Sequence, residues 1–143
     1  MHLEKEFDVR CPRERAAALA AQDETLTGLF PDAKTEIVAS KGQRKTTRTE
    51  YRALGRTGTA TFHFDFLDDG SIAFEKVCDG NVWKQLMGKL SFIERRDGTR
   101  VRIEMDGRTK GLVPEFTIKA PMRDQIEQMA RALRERFEAE SGS

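Results

Sequence analysis

The dipeptide Asp-Gly occurs four times, at Asp69-Gly70, Asp79-Gly80, Asp97-Gly98 and Asp106-Gly107, and each copy adjoins a run rich in Thr, Val, Ile or Phe. No other feature constrains the fold as strongly. Gly, and often Asp, enters the positive-φ region at little cost, so Asp-Gly between β-rich runs signals a hairpin. Gly42 and the Gly55–Gly58 pair add further breaks. The runs between these breaks predict strands over about 3–10, 34–40, 44–54, 59–67, 71–78, 82–95 and 99–106. Six of them follow one another through tight turns. That describes an antiparallel meander, because parallel neighbours need long crossovers.

Helical segments frame the meander. Pro12 to Gln22 opens on a proline suited to a first helical turn and is Ala-rich, and a short second helix from Glu24 should end at Pro31. At the far end Met122, Ile126, Met129, Ala130, Leu133 and Phe137 recur at spacings of three and four, the apolar stripe of an amphipathic helix. Its start is open between a site near Pro114 and a first turn holding Pro121. Strand parity then sorts the faces. Phe62, Phe64 and Phe66 share one side, as do Ile72 and Phe74, Leu86 and Leu90, and Val101, Ile103 and Met105. Their neighbours are mostly charged or polar. The sheet therefore has one oily and one wet face, and the terminal helix has a stripe to lay on the oily one. Strict parity puts Trp83 on the wet side, unless a bulge near Gly88 reverses it.

Length and charge exclude several classes of function. The 143 residues suit one domain, 1–143, and the longest uncharged stretch, Thr57 to Phe64, is too short to span a bilayer as a helix. No signal peptide is visible after Met1, so a cytoplasmic location is expected, with Cys11 and Cys78 as free thiols. A net charge of +1 argues against nucleic acid as partner. His2, His63 and the two cysteines form no metal-ligand spacing, so neither metal nor cofactor is expected. The Arg-rich, Asn-poor composition points to a bacterial source. Oligomeric state is not legible.

The order of strand, two short helices, six-stranded meander and long terminal helix resembles the helix-grip fold of the START and birch-pollen-allergen-like superfamily, SRPBCC. The opening LEKEFDVRCPRERAAALA, the segment ETLTGLFPDA and the run from Gly111 to Phe137 are similar to its polyketide-cyclase-like branch. The resemblance implies an α+β domain whose curved seven-stranded antiparallel sheet grips the terminal helix and leaves a cavity for a hydrophobic ligand. It selects no reaction, since the superfamily includes lipid carriers, hormone receptors, cyclases, and ribosome- or chaperone-associated proteins. The pattern is compatible with a cavity: a broad concave face exceeds what one helical stripe can cover, and the surplus is filled by large side chains such as the nine Phe, covered by loops or left for a guest. A closed core is the alternative to what the resemblance implies, a pocket of roughly 300 Å³ or more. Its expected lining is Phe62, Phe64, Phe66, Phe74, Leu86 and Leu90 from the sheet, with Val101, Ile103 and Met105. Phe116, Met122, Ile126 and Met129 face them, and Tyr51 adds a polar element to the wall.

Catalytic signatures are missing. His63 and Asp65 are i,i+2 neighbours on the wet face, nearly 7 Å apart by strand geometry, which suits a surface histidine better than a base oriented by a carboxylate. Arg44, Arg48, Arg52 and Arg56 share one parity. With Lys41 and Lys45 they place six cations between 41 and 56, against Glu50 alone. A solvated face with charges paired across the sheet is the expected reading; an outward strip for RNA, a ribosome or an acidic partner, or an inward one gripping an anionic ligand, are the sharper alternatives. The leading expectation is thus binding of a small hydrophobic or amphipathic molecule. The alternatives are a cyclase- or dehydratase-like enzyme, raised if Tyr51 or Glu94 lies inside, and a protein-interaction module using the Arg44–Arg56 strand.

Overall fold

Alternating Thr, Val, Ile and Phe runs separated by Gly turns produce seven strands, described here in a computed structural model. They are β1 (His2–Val9), β2 (Lys34–Lys41), β3 (Arg44–Ala53), β4 (Arg56–Phe66), β5 (Ile72–Lys76), β6 (Trp83–Arg95) and β7 (Gly98–Thr109). Helices α1 (Arg13–Ala20) and α2 (Asp23–Thr27) follow β1, and a 3-10 turn (Glu115–Thr117) leads into α3 (Lys119–Ser141), with Pro121 in its first turn. The structure describes residues 1–53, 56–80 and 82–141. The expectations for Leu54, Gly55, Asn81 and the Arg56 side chain lie outside the described residues, as does the end of the chain at Gly142 and Ser143.

All strand pairs are antiparallel in one curved sheet of order β1-β7-β6-β5-β4-β3-β2, the expected meander with the first strand added beside the last. Three turns rest on glycine with positive φ: Gly42 (59°) between Lys41 and Arg44, Gly70 (87°) after Asp69, and Gly98 (152°) after Asp97. Asp106-Gly107 behaves differently from expectation. β7 runs straight through it to Thr109, and Gly107 pairs with Leu86. The glycine serves a close approach here, since a Cβ on Gly107 would stand 2.7 Å from Trp83 Cζ3 and 3.1 Å from Met122 Sδ. Likewise β4 begins at Arg56, before the expected 59, and Arg56 sits across the hairpin from Ala53 instead of extending β3. Trp83 does face the oily side. The register shift that turns it inward lies between Trp83 and Gln85, not near Gly88.

Parity settles the core. α3 buries Met122, Ile126, Met129, Leu133 and Phe137 against the concave face, where Leu86, Leu90, Val101, Ile103 and Met105 are buried beneath it. Phe92 meets Phe137 edge-on, ring centroids 6.2 Å apart, a favoured aromatic geometry. Helix α1 contributes Ala16, Leu19 and Ala20 and α2 adds Leu26. The convex face is a lattice of cross-strand ion pairs: Arg44 grips Asp65 through two bonds (2.7 and 3.0 Å), Arg100 grips Asp8 (2.9 Å) and Arg102 bonds Glu6 (3.0 Å). Such exposed pairs fix register more than they add stability.

Candidate functional site

The helix does not cover the sheet evenly. α3 lies chiefly along β1, with smaller footprints on β7, α1 and α2. Beside that footprint the phenylalanines of β4 and β5 pack on one another. Phe62, Phe64 and Phe74 form a row with centroids 6.4 and 6.0 Å apart, and Phe30 extends it at 6.5 Å. The ring of Phe74 occupies the space that Gly88 leaves free, since a Cβ there would stand 2.3 Å from Phe74 Cζ.

Toward the β3–β4 hairpin the concave face changes character. Thr49, Gly58 and Ala60 are small, and the first turns of α3 stand over them without filling the gap. A groove of about 590 Å³ results. Ala60, Phe62, Thr49 and Lys76 come from the sheet; Phe30, Asp32 and Ala33 from the segment after α2; Asp79, Gly80, Val82 and Trp83 from the β5–β6 connection and the start of β6. Ile118, Pro121, Asp124, Gln125 and Gln128 close it from the helix side, and Tyr51, Arg52 and Thr59 stand at the mouth. The phenol of Tyr51, 43% exposed, lies across Gly58, where a Cβ would stand 2.7 Å from its Cζ and Oη. The Thr49 hydroxyl shares a 2.9 Å hydrogen bond with that of Thr35. A second hollow of about 540 Å³ between α2 and α3 has charged walls, Glu24, Asp32, Arg131, Glu135 and Arg136 among them, which suits no apolar guest.

Of the residues expected to line a cavity, the structure brings Tyr51 and Phe62 to the groove. Phe64, Phe74, Leu86, Leu90, Val101, Ile103, Met105, Met122, Ile126 and Met129 are buried in the hydrophobic core and do not line the groove. Phe66 is half-buried at the other end of β4, beneath the Lys45 ammonium (5.5 Å to the ring centroid). Phe116 is 79% exposed on the 3-10 turn, pointing away from the groove that its neighbour Ile118 lines. Sequence reasoning missed Lys76, Trp83, Phe30 and Ile118. The parity of β5 carried a signal for the first, since Ile72, Phe74 and Lys76 alternate onto one side.

The titratable candidates lie elsewhere. His63 bonds the Thr46 hydroxyl (2.8 Å) on the convex side, and Asp65 is engaged by Arg44, whose guanidinium holds that carboxyl below the usual aspartate value. Glu94 is exposed near the end of β6 and does not reach the groove. Cys11 is buried and Cys78 half-buried, and neither is in a disulfide.

This architecture, a seven-stranded curved antiparallel sheet closed by a long C-terminal helix with two short helices after the first strand, is the helix-grip fold. No family model and no curated protein sequence matches the chain. Solved structures do. A Thermus thermophilus protein is 22% identical with a TM-score of 0.80, covering 99% of both chains. The Zhui aromatase/cyclase of a Streptomyces species is 16% identical with a TM-score of 0.76, covering 99% of this chain and 93% of its own. A START superfamily protein of Mycobacterium smegmatis is 18% identical with a TM-score of 0.77, covering 96% and 97%. The resemblance read from the sequence is thus met by these neighbours as a likeness of fold.

Proposed function

We propose that the chain is a single-domain member of the START-like superfamily that binds a small amphipathic molecule in the groove between β3–β5 and the start of α3. One observation carries the reading. The groove holds about 590 Å³, combines apolar walls (Phe30, Ala60, Phe62, Trp83, Ile118) with a polar mouth, and lies where small side chains on the sheet leave a gap beneath the start of the helix. That volume falls within the range of small-molecule sites, about 300–1,000 Å³. A guest there exchanges water contact for contact with Phe62 and Trp83, the same driving force that builds the core. The neighbours named as a START superfamily protein and an aromatase/cyclase support a ligand of this kind.

Binding has stronger support than catalysis. Tyr51 and Lys76 reach the groove, but among the described residues no acid–base pair in hydrogen-bond contact lines it, so general acid–base chemistry has no assembled apparatus. The Arg44–Arg56 strip has less support still, because Arg44 is engaged by Asp65 and Glu75.

The test is displacement of a neutral fluorescent probe, N-phenyl-1-naphthylamine, which should brighten on entering the groove. Ala60→Trp fills the floor and should abolish the signal while the melting temperature stays within a few degrees. Equal brightening in the parent and in Ala60→Trp would refute the assignment.

A further inference from the structure

Three lysines stand on the concave face of the sheet, and they differ in what holds them. Lys5 of β1 pairs with Glu127 of α3 at 3.1 Å. Lys45 of β3 is held by Asp23 (2.6 Å) and by the carbonyl of Ala21 (3.1 Å). Lys76 of β5 is paired in register with Phe62 and lines the groove half-buried, and its one hydrogen bond among the described residues is a long 3.4 Å contact to the Val77 carbonyl. An ammonium carries three donors, and at a half-buried site those the protein does not engage are met by water that a ligand oxygen can replace. The protein supplies a carboxylate partner twice on this face and withholds it where the face opens.

From this we infer that Lys76 is the anchor for an acidic head group, and that the groove takes a monoanionic amphiphile: an apolar body carrying a carboxylate or an ionised phenol or enol. The inference rests on the groove being a ligand site and adds the class of molecule it takes. The charge of the body is settled by the same walls. Phe62 and Trp83 flank the position, so the remainder of the ligand is apolar. The charge of the head is limited by the mouth, where Asp32, Asp79 and Asp124 are exposed and none pairs with Lys76. Three carboxylates against Arg52 repel a dianion, so a phosphate monoester is disfavoured relative to a carboxylate.

The experiment uses three chain-matched probes, decanoate, decanol and decylamine, titrated calorimetrically into the full chain. Decanoate should bind about tenfold or more tightly than decanol, as expected for a charge-assisted hydrogen bond formed in a partly desolvated site, and more tightly than decylamine, whose ammonium Lys76 repels at the anchor position. Lys76→Met should remove the preference while decanol affinity stays within about twofold, and Lys76→Arg should restore most of it. Decyl phosphate should bind less tightly than decanoate. If decanol and decanoate bind the parent equally, or Lys76→Met weakens both in proportion, Lys76 is not the anchor although the groove still binds. If none of the three probes binds, the groove reading itself falls and this inference with it.

Discussion

Gly88→Ala tests the division between a closed core and an open groove. A Cβ on Gly88 would stand 2.3 Å from the Glu104 carbonyl oxygen and 2.3 Å from Phe74 Cζ. Ordinary carbon contacts lie near about 3.5–4.0 Å, so both neighbours must give way. Neither does so cheaply. The carbonyl is backbone of β7, which is bonded along its length to β6, and the Phe74 ring is blocked by Phe64, 6.0 Å away and buried. A Gly→Ala change in a tolerant position gains about 0.4–1 kcal/mol through the unfolded chain; here the overpacking cost, about 3 kcal/mol, reverses the sign. Unfolding a chain of 143 residues releases about 0.3 kcal/mol of entropy-weighted free energy per kelvin, so the melting temperature should fall by about 10 °C. Circular-dichroism melts with urea titration measure it. Adding Phe74→Leu should recover part of the loss, because one of the two obstacles goes and the carbonyl stays, giving a coupling energy of about 0.5–2 kcal/mol. A Gly88→Ala protein melting within about 2 °C of its parent would refute the close packing on which the placement of the groove depends.

Two further expectations concern the surface. His2 lies between Glu4 (3.0 Å) and Asp106 (2.6 Å), and hydrogen bonds to Glu4 and then Asp106 raise its pKa above the ordinary 6.5. The charged imidazole favours the folded state, so its contribution is complete below the unfolded pKa and disappears as pH rises through the folded one. The melting difference between the parent and His2→Asn should accordingly shrink as pH rises above the ordinary 6.5 and through the raised folded pKa, which an NMR titration should place above the peptide value. Phe116→Ser, at a residue 79% exposed, should change stability by no more than about 0.5 kcal/mol and leave probe binding intact. A large loss of either in urea or fluorescence titrations would place its ring against the protein.

Much of the scaffold was legible because its signals are local. The breaks at Gly42 and Gly70 need only their own φ, the α3 stripe needs only its spacing, and the faces of β4 and β7 need only period two. The misread places share one cause. A glycine within a β run marks either a turn or a close approach, and only the neighbour decides. Gly107 lies beneath Trp83 and Gly58 beneath Tyr51, so both remain in strands where a break was expected. The inward turn of Trp83 depends on a one-residue register shift against β7, invisible to parity within β6. Which apolar residues border empty space is harder to read, because it depends on where α3 rests. The sequence pattern cannot say that the helix favours β1, and so Met122 or Leu90 looked as available as Phe62.

The pairing of β1 with β7 has a consequence for biosynthesis. His2 finds its partner only at Asp106, whereas each strand from β3 onward pairs with the one made just before it. At ribosomal speeds of about 5–20 residues per second, the opening segment waits roughly 5–20 s for a place to dock. Throughout that interval Phe7 and Val9, both destined for burial, stay in water. The nascent polypeptide is therefore most exposed to wrong associations at its amino-terminal end, and emergence of the seventh strand ends that hazard.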